Sequence, residues 1–600
     1  MSTIRYSVSM PQPETHLFHV EVAVSGIPQP HHDFVMPSWT PGSYLIREFA
    51  RHVQEFQACD AAGAPLSWNK LNKNTWRVTG GAGELTLRYK VYANELTVRT
   101  SHLDTSHGYF NGANLFVYLD GQRSHPVDLC VAPAYPDWKV ATGLPAAPAD
   151  YSSGNGSSAG PRPETAGALR HHFRADDYDH LIDCPVEVSN HRLLRFEVDG
   201  VPHRIAVWGH GNEAPERLQA DTQAIVQAAR DIFGGLPYDN YLFILHLTER
   251  RGGGLEHRNS STNAVSRWSF RKPADYERSI ALLAHEFFHT WNVKRILPAS
   301  FQDFEYRWET YTRLLWVMEG FTTYYELVLL RRAGLISAER MLAILGERIL
   351  RLLQTPGRHF QSAESASFDA WIKFYRPDEN TQNTTVSYYL KGSLIALLLD
   401  LEIRERTGNK RSLDDVLVRT YQDFTLHDRG ISDEAFQLVC EEVAGGSLQA
   451  FFDDFVRGVA ELPFEAYLAK AGLDMTYGYK GDEYGERAAG LGVRVKEEAG
   501  RTLVQTVFSD GPAYHADISP GDEIIAVDGF RVGKGTIGDR LGDREIGERV
   551  TVTYFRRDEL RAVEITLGQR PYNRLDITPV EGVTAEQQAV YTGWLGAEWP

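Results

Sequence analysis

Apolar and polar residues alternate along LFHVEVAVSG (17–26), ELTLRYKVYA (84–93), LTVRTSHLD (96–104) and ANLFVYLDG (113–121). This is the period-two signature of half-buried strands. Turn chemistry separates them at DAAGAP (60–65) and TGGAGE (79–84), so residues 1 to 185 are expected to be β-rich. Two more strands, LLRFEVDG (193–200) and HRIAVWGHG (203–211), lead into an amphipathic helical stretch at 214–235, and YLFILHLTE (241–249) reads as a buried strand. After the glycine turn RRGGGLEHR (250–258) the period becomes helical at 272–293, where Pro273 suits a first helical turn. Helical texture continues through 312–334, 337–354, 387–408 and 412–424. From about Tyr477 the pattern returns to strand and turn, which marks a separate β-rich module.

Length and composition narrow the class. Six hundred residues exceed what one hydrophobic core supports, so three or four domains are expected. Hydrophobic content of 42% with 24% charged residues fits a globular chain. A net charge of −17 argues against nucleic acid or an anionic membrane surface as the main partner. The four cysteines lack CxxC spacing, so neither a disulfide framework nor a thiolate metal site is expected. The Ser/Gly/Pro-rich stretch Tyr151 to Gly167 reads as a mobile surface loop. No secretory leader is legible at the start and no apolar run reaches membrane-spanning length, which makes cytoplasm the default expectation.

The chemistry concentrates in LLAHEFFHTWNVKRI (282–296). Residues four apart share a helix face, so His285 and His289 can turn ring nitrogens toward one ion. Zinc takes neutral imidazole, and a catalytic site keeps three protein ligands and one open position. Glu286 can reach the metal's water from the same helix and serve as general base. The continuation excludes a metzincin, because Asn292 and Arg295 stand where that motif needs glycine and histidine. A glutamate further on is the other route to a third ligand, and the candidates are Glu305, Glu309, Glu319 and Glu326. Glu319, thirty residues after His289 inside the apolar LLWVMEGFTTYYE, is preferred because a buried carboxylate needs a partner. Glu309, at twenty residues, is the fallback.

HExxH followed by W-x-x-E-G-F resembles the thermolysin-like zinc aminopeptidases. The insertion NVKRILPASFQDFEYRW (292–308), the N-terminal MPSWTPGSYLIREFARHV (36–53) and a PDZ-like C-terminus narrow the resemblance to the glycyl aminopeptidase family. That resemblance implies zinc held by His285, His289 and the Glu319 of E-G-F, one ion per chain. It matches GGGLEH (252–257) to the family segment whose glutamate binds the substrate's α-amino group. Glu256 would take that role, while Gly253 and Gly254 pair with the substrate backbone like an added strand. Leu255 and His257 depart from the usual Met and Asn there. SYYLKGS (387–393) resembles the motif whose tyrosine stabilises the oxyanion, which implies Tyr389, with Tyr388 as the neighbouring rival. GLGV (490–493) and GPAYHADISPGDEIIAVDG (511–529) resemble a PDZ domain, the first as its carboxylate-binding loop.

The expected fold is multidomain α+β: a β-rich domain (1–185), a thermolysin-like α/β zinc catalytic domain (186–355), a helical domain completing the site (356–476), a PDZ domain (477–570) and a tail (571–600). The resemblance implies a metallo-aminopeptidase for peptides with a free N-terminus and a small first residue, glycine or alanine. A zinc endopeptidase and a PDZ-type peptide-binding scaffold are the competing readings.

Overall fold

The structure is a computed structural model describing residues 3–147, 170–250, 252–479 and 489–600. The serine- and glycine-rich stretch at 151–167 lies outside the described residues. The chain divides into two compact units, Met1–Tyr311 with Asp428–Gly430, and Thr312–His427 with Ile431–Pro600.

In the first unit the alternating segments form sheets whose inward residues fill one core. Leu17–Ile27 pairs antiparallel with Thr3–Ser9 and with Gly83–Tyr92 in a six-stranded sheet. Ile4, Tyr6, Val20, Val22, Leu85 and Leu87 from these strands are all 3% exposed or less. Each such side chain stabilises the fold by roughly 1.5–3 kcal/mol on burial. Two predicted strands are largely something else. Of LTVRTSHLD only His102–Asp104 is strand, and of ANLFVYLDG only Tyr118–Leu119. Their apolar residues, Val98, Leu115, Phe116 and Val117 among them, are buried as loop and 3-10 turn, so tertiary packing overrode the period-two pattern.

A second sheet of this unit is five-stranded, in the order Arg192–Val198, Val201–Trp208, Tyr241–Thr248, Ser260–Ser266, Gly253–Glu256. The middle three strands run parallel, and the two outer ones are antiparallel to their neighbours. Tyr241–Thr248 is buried along nearly its whole length, as a central strand covered on both faces should be. The N-terminal sheets are tied to this one by Glu187, which is fully buried. It accepts hydrogen bonds from His107 Nε2 (2.8 Å), His246 Nε2 (3.0 Å) and Ser189 Oγ (2.6 Å). Burial would raise its carboxyl, but the two imidazoles hold it well below the usual carboxylate range. His246 belongs to the five-stranded sheet and the other three residues to the N-terminal sheets.

The second unit is helical up to about residue 469 and then β-rich. Its central helix, Tyr388–Arg406, is buried on almost every face. The β-rich module after residue 489 has its own core around Ile524, Val527, Val550, Val552 and Ile565. Asn383 joins it to the helices, donating to the Val507 carbonyl (2.9 Å) and accepting from the Ser509 amide (2.9 Å). Residues 571–600 are folded and do not form a tail. They supply the strand Arg574–Pro579, paired with Leu473–Gly478, and the helix Ala585–Leu595. Trp594 of that helix donates from its indole to Tyr324 Oη at 2.8 Å. No helix among the described residues is long and apolar enough to cross a membrane.

Candidate active site

The helix Pro273–Phe288 carries the HExxH residues at its C-terminal end. Pro273 occupies the first turn, where its missing N–H costs nothing. Ile280, Leu283, Ala284 and Phe287 anchor the helix in the core, and Phe287 packs edge-on against Tyr241 at 5.0 Å between centroids. His285 and His289 stand one turn apart with ring centroids 4.8 Å apart, and both are buried. His289 Nδ1–H donates to the Asn292 carbonyl at 2.7 Å. That bond leaves the lone pair of Nε2 as the coordinating position. Two buried imidazoles, one fixed in this tautomer, suit zinc.

The strand Gly253–Glu256 runs at the sheet edge beside this helix. One carboxylate oxygen each from Glu256 and Glu286 and a ring nitrogen of His289 lie within 4.8 Å of one another. Two glycines make that proximity possible. A Cβ on Gly254 would fall well inside 3.0 Å of the Glu286 carboxylate. A Cβ on Gly42 would lie 2.6 Å from both Glu256 oxygens, and Gly42 also has φ +82°, in the left-handed region. Gly42 comes from the N-terminal motif MPSWTPGSYLI, to which pattern reading attached no role. Glu256 also lies on the wall of a cavity of about 590 Å³, with Gly42, Tyr44, Asp183, Arg258 and Lys294 among its lining residues.

The departure at His257 has a structural partner. His257 Nδ1 is 3.3 Å from Asp183 Oδ1, and Lys294 Nζ is 2.6 Å from the same oxygen. Burial would raise the Asp183 carboxyl, but Lys294 and His257 hold it well below the usual range. Arg295, which excludes the metzincin motif, is a buried guanidinium donating to the carbonyls of Thr290, Arg258 and Pro237 at 2.7, 2.9 and 2.7 Å. The insertion therefore begins by clamping the turn behind Glu256. Sequence spacing carried no signal for this, because the partners are 37 and 58 residues away.

Glu319 and Tyr389 belong to the second unit. Glu319 sits at the joint between the helices Leu315–Met318 and Gly320–Arg332 and is 2% exposed. Its rivals are accounted for differently. Glu305 binds Arg307 through both oxygens (2.9 and 2.8 Å), Glu326 pairs with Arg348, and Glu309 lies outside any helix. Ser387 caps the helix Tyr388–Arg406 by accepting from the Leu390 amide, which puts both tyrosines in its first turn. Tyr388 is fully buried, whereas Tyr389 is half-buried and stacks on Phe374 at 5.3 Å. The two motifs meet through their glycines. A Cβ on Gly320 would lie 2.6 Å from the Gly392 Cα. Glu-Gly-Phe and Lys-Gly are thus the two sides of one close helix crossing. Lys391 beside it is buried, its Nζ has no hydrogen-bond partner among the described residues, and burial pushes its pKa down to about 8.

Comparison with known proteins identifies the family. The Peptidase M61 N-terminal domain matches residues 5–190, the M61 glycyl aminopeptidase domain matches 278–395, and a PDZ domain matches 489–567. A search of the curated proteins finds no match. Among solved structures, an aminopeptidase N family protein from Idiomarina loihiensis is similar at 30% identity with a TM-score of 0.89. The match covers 99% of this chain and 100% of that one. An M1 zinc metallopeptidase from Deinococcus radiodurans is similar at 17% identity with a TM-score of 0.46, covering 77% and 94% of the two chains. The segment Gly252 to His257 lies outside the matched peptidase domain. Taken with the near-complete correspondence to a 30% identical structure, these matches show that the chain belongs to the M61 glycyl aminopeptidase family and is a metallo-aminopeptidase.

Proposed function

We propose that this chain is a zinc-dependent aminopeptidase that removes a small N-terminal residue, glycine or alanine, from peptides. On this reading His285, His289 and Glu319 hold the ion, which when bound acidifies a water molecule and polarises the scissile carbonyl. Glu286 takes the water's proton and later returns it to the leaving amine. The Tyr389 hydroxyl donates to the oxyanion as charge develops, an interaction made only in the transition state. Glu256 pairs with the substrate's ammonium group and Gly254 offers its outward-facing backbone groups to the peptide, whereas Gly253, expected from the resemblance to do the same, stands in the bonded register opposite Ala264.

The observation that carries this reading is the closeness of Glu256 to Glu286 and His289. A carboxylate that close to the base can take the free amine of the residue whose bond is cut, which distinguishes an exopeptidase from an endopeptidase. The glycine preference rests on the family. The PDZ domain offers a second place for a peptide ligand, and the domain boundaries given above, apart from the tail, belong to the same proposal. The test compares Gly-Leu-Leu with its N-acetylated form, using wild type and Glu286→Gln. Cleavage of the free peptide alone, lost in Glu286→Gln with zinc still bound, is expected. Efficient cleavage of the acetylated peptide would favour an endopeptidase, and no cleavage by zinc-loaded wild type would favour a peptide-binding scaffold.

A further inference from the structure

The strand Gly253–Glu256 ends its sheet, and its pairing determines which backbone groups face outward. The His257 amide donates to the Ser260 carbonyl at 2.9 Å, so His257 and Ser260 are a hydrogen-bonded pair. Such pairs alternate along an antiparallel ladder. In this register Leu255–Thr262 is the next bonded pair, and Glu256–Ser261 and Gly254–Asn263 are the unbonded ones. The amide and carbonyl of Gly254 therefore point to the free edge.

Arg99 stands at that edge. It lies in the segment whose alternation predicted a strand but which folds as a turn. Neighbouring Val98 is buried against Leu255 and Ala264. The backbone there is held on both sides, the Arg99 amide by Thr97 Oγ1 (3.1 Å) and its carbonyl by Asn114 Nδ2 (3.0 Å). The side chain donates from Nη2 to the Gly254 carbonyl at 3.3 Å, and both terminal nitrogens lie 3.9 Å from where a Gly253 Cβ would be. Its Nε is buried and has no hydrogen-bond partner, and among the described residues no carboxylate pairs with this guanidinium. A guanidinium has five N–H donors in a fork that matches a carboxylate. A partly buried cation using one of them is short of an anion.

Spacing identifies the anion. Gly254 and Glu256 are two residues apart, about 6.8 Å along a strand. An extended dipeptide spans the same two residue rises from its ammonium nitrogen to its terminal carboxylate, so one whose ammonium faces Glu256 and which runs antiparallel along this edge brings that carboxylate level with Gly254. We propose that Arg99 receives the C-terminal carboxylate of dipeptide substrates, so that the site measures a dipeptide from both ends. This rests on the aminopeptidase reading, in which Glu256 holds the amine. The Gly254 carbonyl has two lone pairs, so Arg99 can keep its present bond while a peptide N–H uses the other.

The experiment measures kcat/KM of the full-length zinc-loaded protein on Gly-Leu and Gly-Leu-NH2, for wild type, Arg99→Met and Arg99→Lys. Wild type should favour the acid by roughly 10- to 100-fold, the range of a charged hydrogen-bonded contact. Arg99→Met should bring the two within about threefold, mainly through KM, and Arg99→Lys should recover part of the preference because it keeps the charge and loses the fork. A wild-type ratio near one, or an equal loss on both substrates in Arg99→Met, overturns the proposal and leaves Arg99 as a prop for the strand. Cleavage of neither compound by wild type overturns this proposal; the aminopeptidase reading falls only if Gly-Leu-Leu is not cleaved either.

Discussion

Replacing Gly254 with alanine moves one group against the proposed base without touching any ionisable residue. Gly254 has no positive φ, so alanine fits the backbone, and the loss of glycine flexibility in the unfolded chain favours the variant slightly. The new Cβ, however, would sit well inside 3.0 Å of the Glu286 carboxylate, closer than real Cβ atoms approach anything. The carboxylate has to retreat by about 1 Å, a displacement that costs on the order of 100-fold in a positioned catalytic group. That corresponds to about 2.7 kcal/mol of transition-state stabilisation. Steady-state kinetics on a glycyl peptide should show kcat reduced by about this factor with KM little changed, and the Tm should stay within about 2 °C of wild type. A cycle with Glu286→Ala isolates the cause. In that background every Glu286 atom that the new Cβ would meet is gone, so Gly254→Ala should cost much less of the residual rate, giving a coupling of more than about 1 kcal/mol. Wild-type kcat in Gly254→Ala, or additivity in the cycle, would refute the placement of Glu286 as base.

Other predictions follow from the same geometry. Gly42→Ala places a Cβ 2.6 Å from both Glu256 oxygens at a left-handed φ. It should raise KM for free-amine substrates at least tenfold and lower stability by about 1 kcal/mol, and an unchanged KM would separate Gly42 from amine binding. Lys391 is depressed from its ordinary 10.5 to about 8 by burial. Below pH 8 the proton is bound in both folded and unfolded chains and the cost is fully present; between 8 and 10.5 only the unfolded chain holds it, so stability rises with pH. Lys391→Met should therefore raise the Tm at pH 7, by the equivalent of roughly 2–3 kcal/mol, and the gap to wild type should narrow by pH 10. A gap independent of pH would show that Lys391 is not held against its charge. Dialysis against a chelator should abolish activity and lower the Tm, with zinc restoring both, because an ion bound only by the folded chain stabilises it. Retention of activity after metal loss is verified would refute metal-assisted hydrolysis.

The most local chemistry was the most legible. His285, Glu286 and His289 depend only on helical spacing, and the helix Pro273–Phe288 carries the first two, with His289 as its C-cap still in helical conformation, as the 3.6-residue period requires. Glu319 was preferred over Glu305 and Glu326 because a carboxylate in an apolar stretch needs a partner, and the structure gives those two rivals arginine partners. The glycine run RRGGGLEHR was ambiguous alone. Strand or turn there depends on pairing with Ser260–Ser266, a contact that no property of the glycines encodes. Segment 96–104 failed for the converse reason: its alternation is genuine, but Val98 finds its burial against Leu255 across the fold and the chain turns instead.

By itself, then, the sequence determined most of the helices and long strands, the HExxH face and the identity of the charged groups that could do chemistry, all properties set by neighbours within a few residues. Tertiary structure alone decided which of them share a site. Gly42 reaches Glu256 from more than two hundred residues away, Arg99 reaches Gly254 across 155, and Gly320 meets Gly392 because two helices cross where neither carries a side chain. Such contacts are selected by shape and by loop closure over long separations, whose entropic cost grows slowly with length. A local pattern therefore leaves them undetermined, and only the packed chain chooses among them.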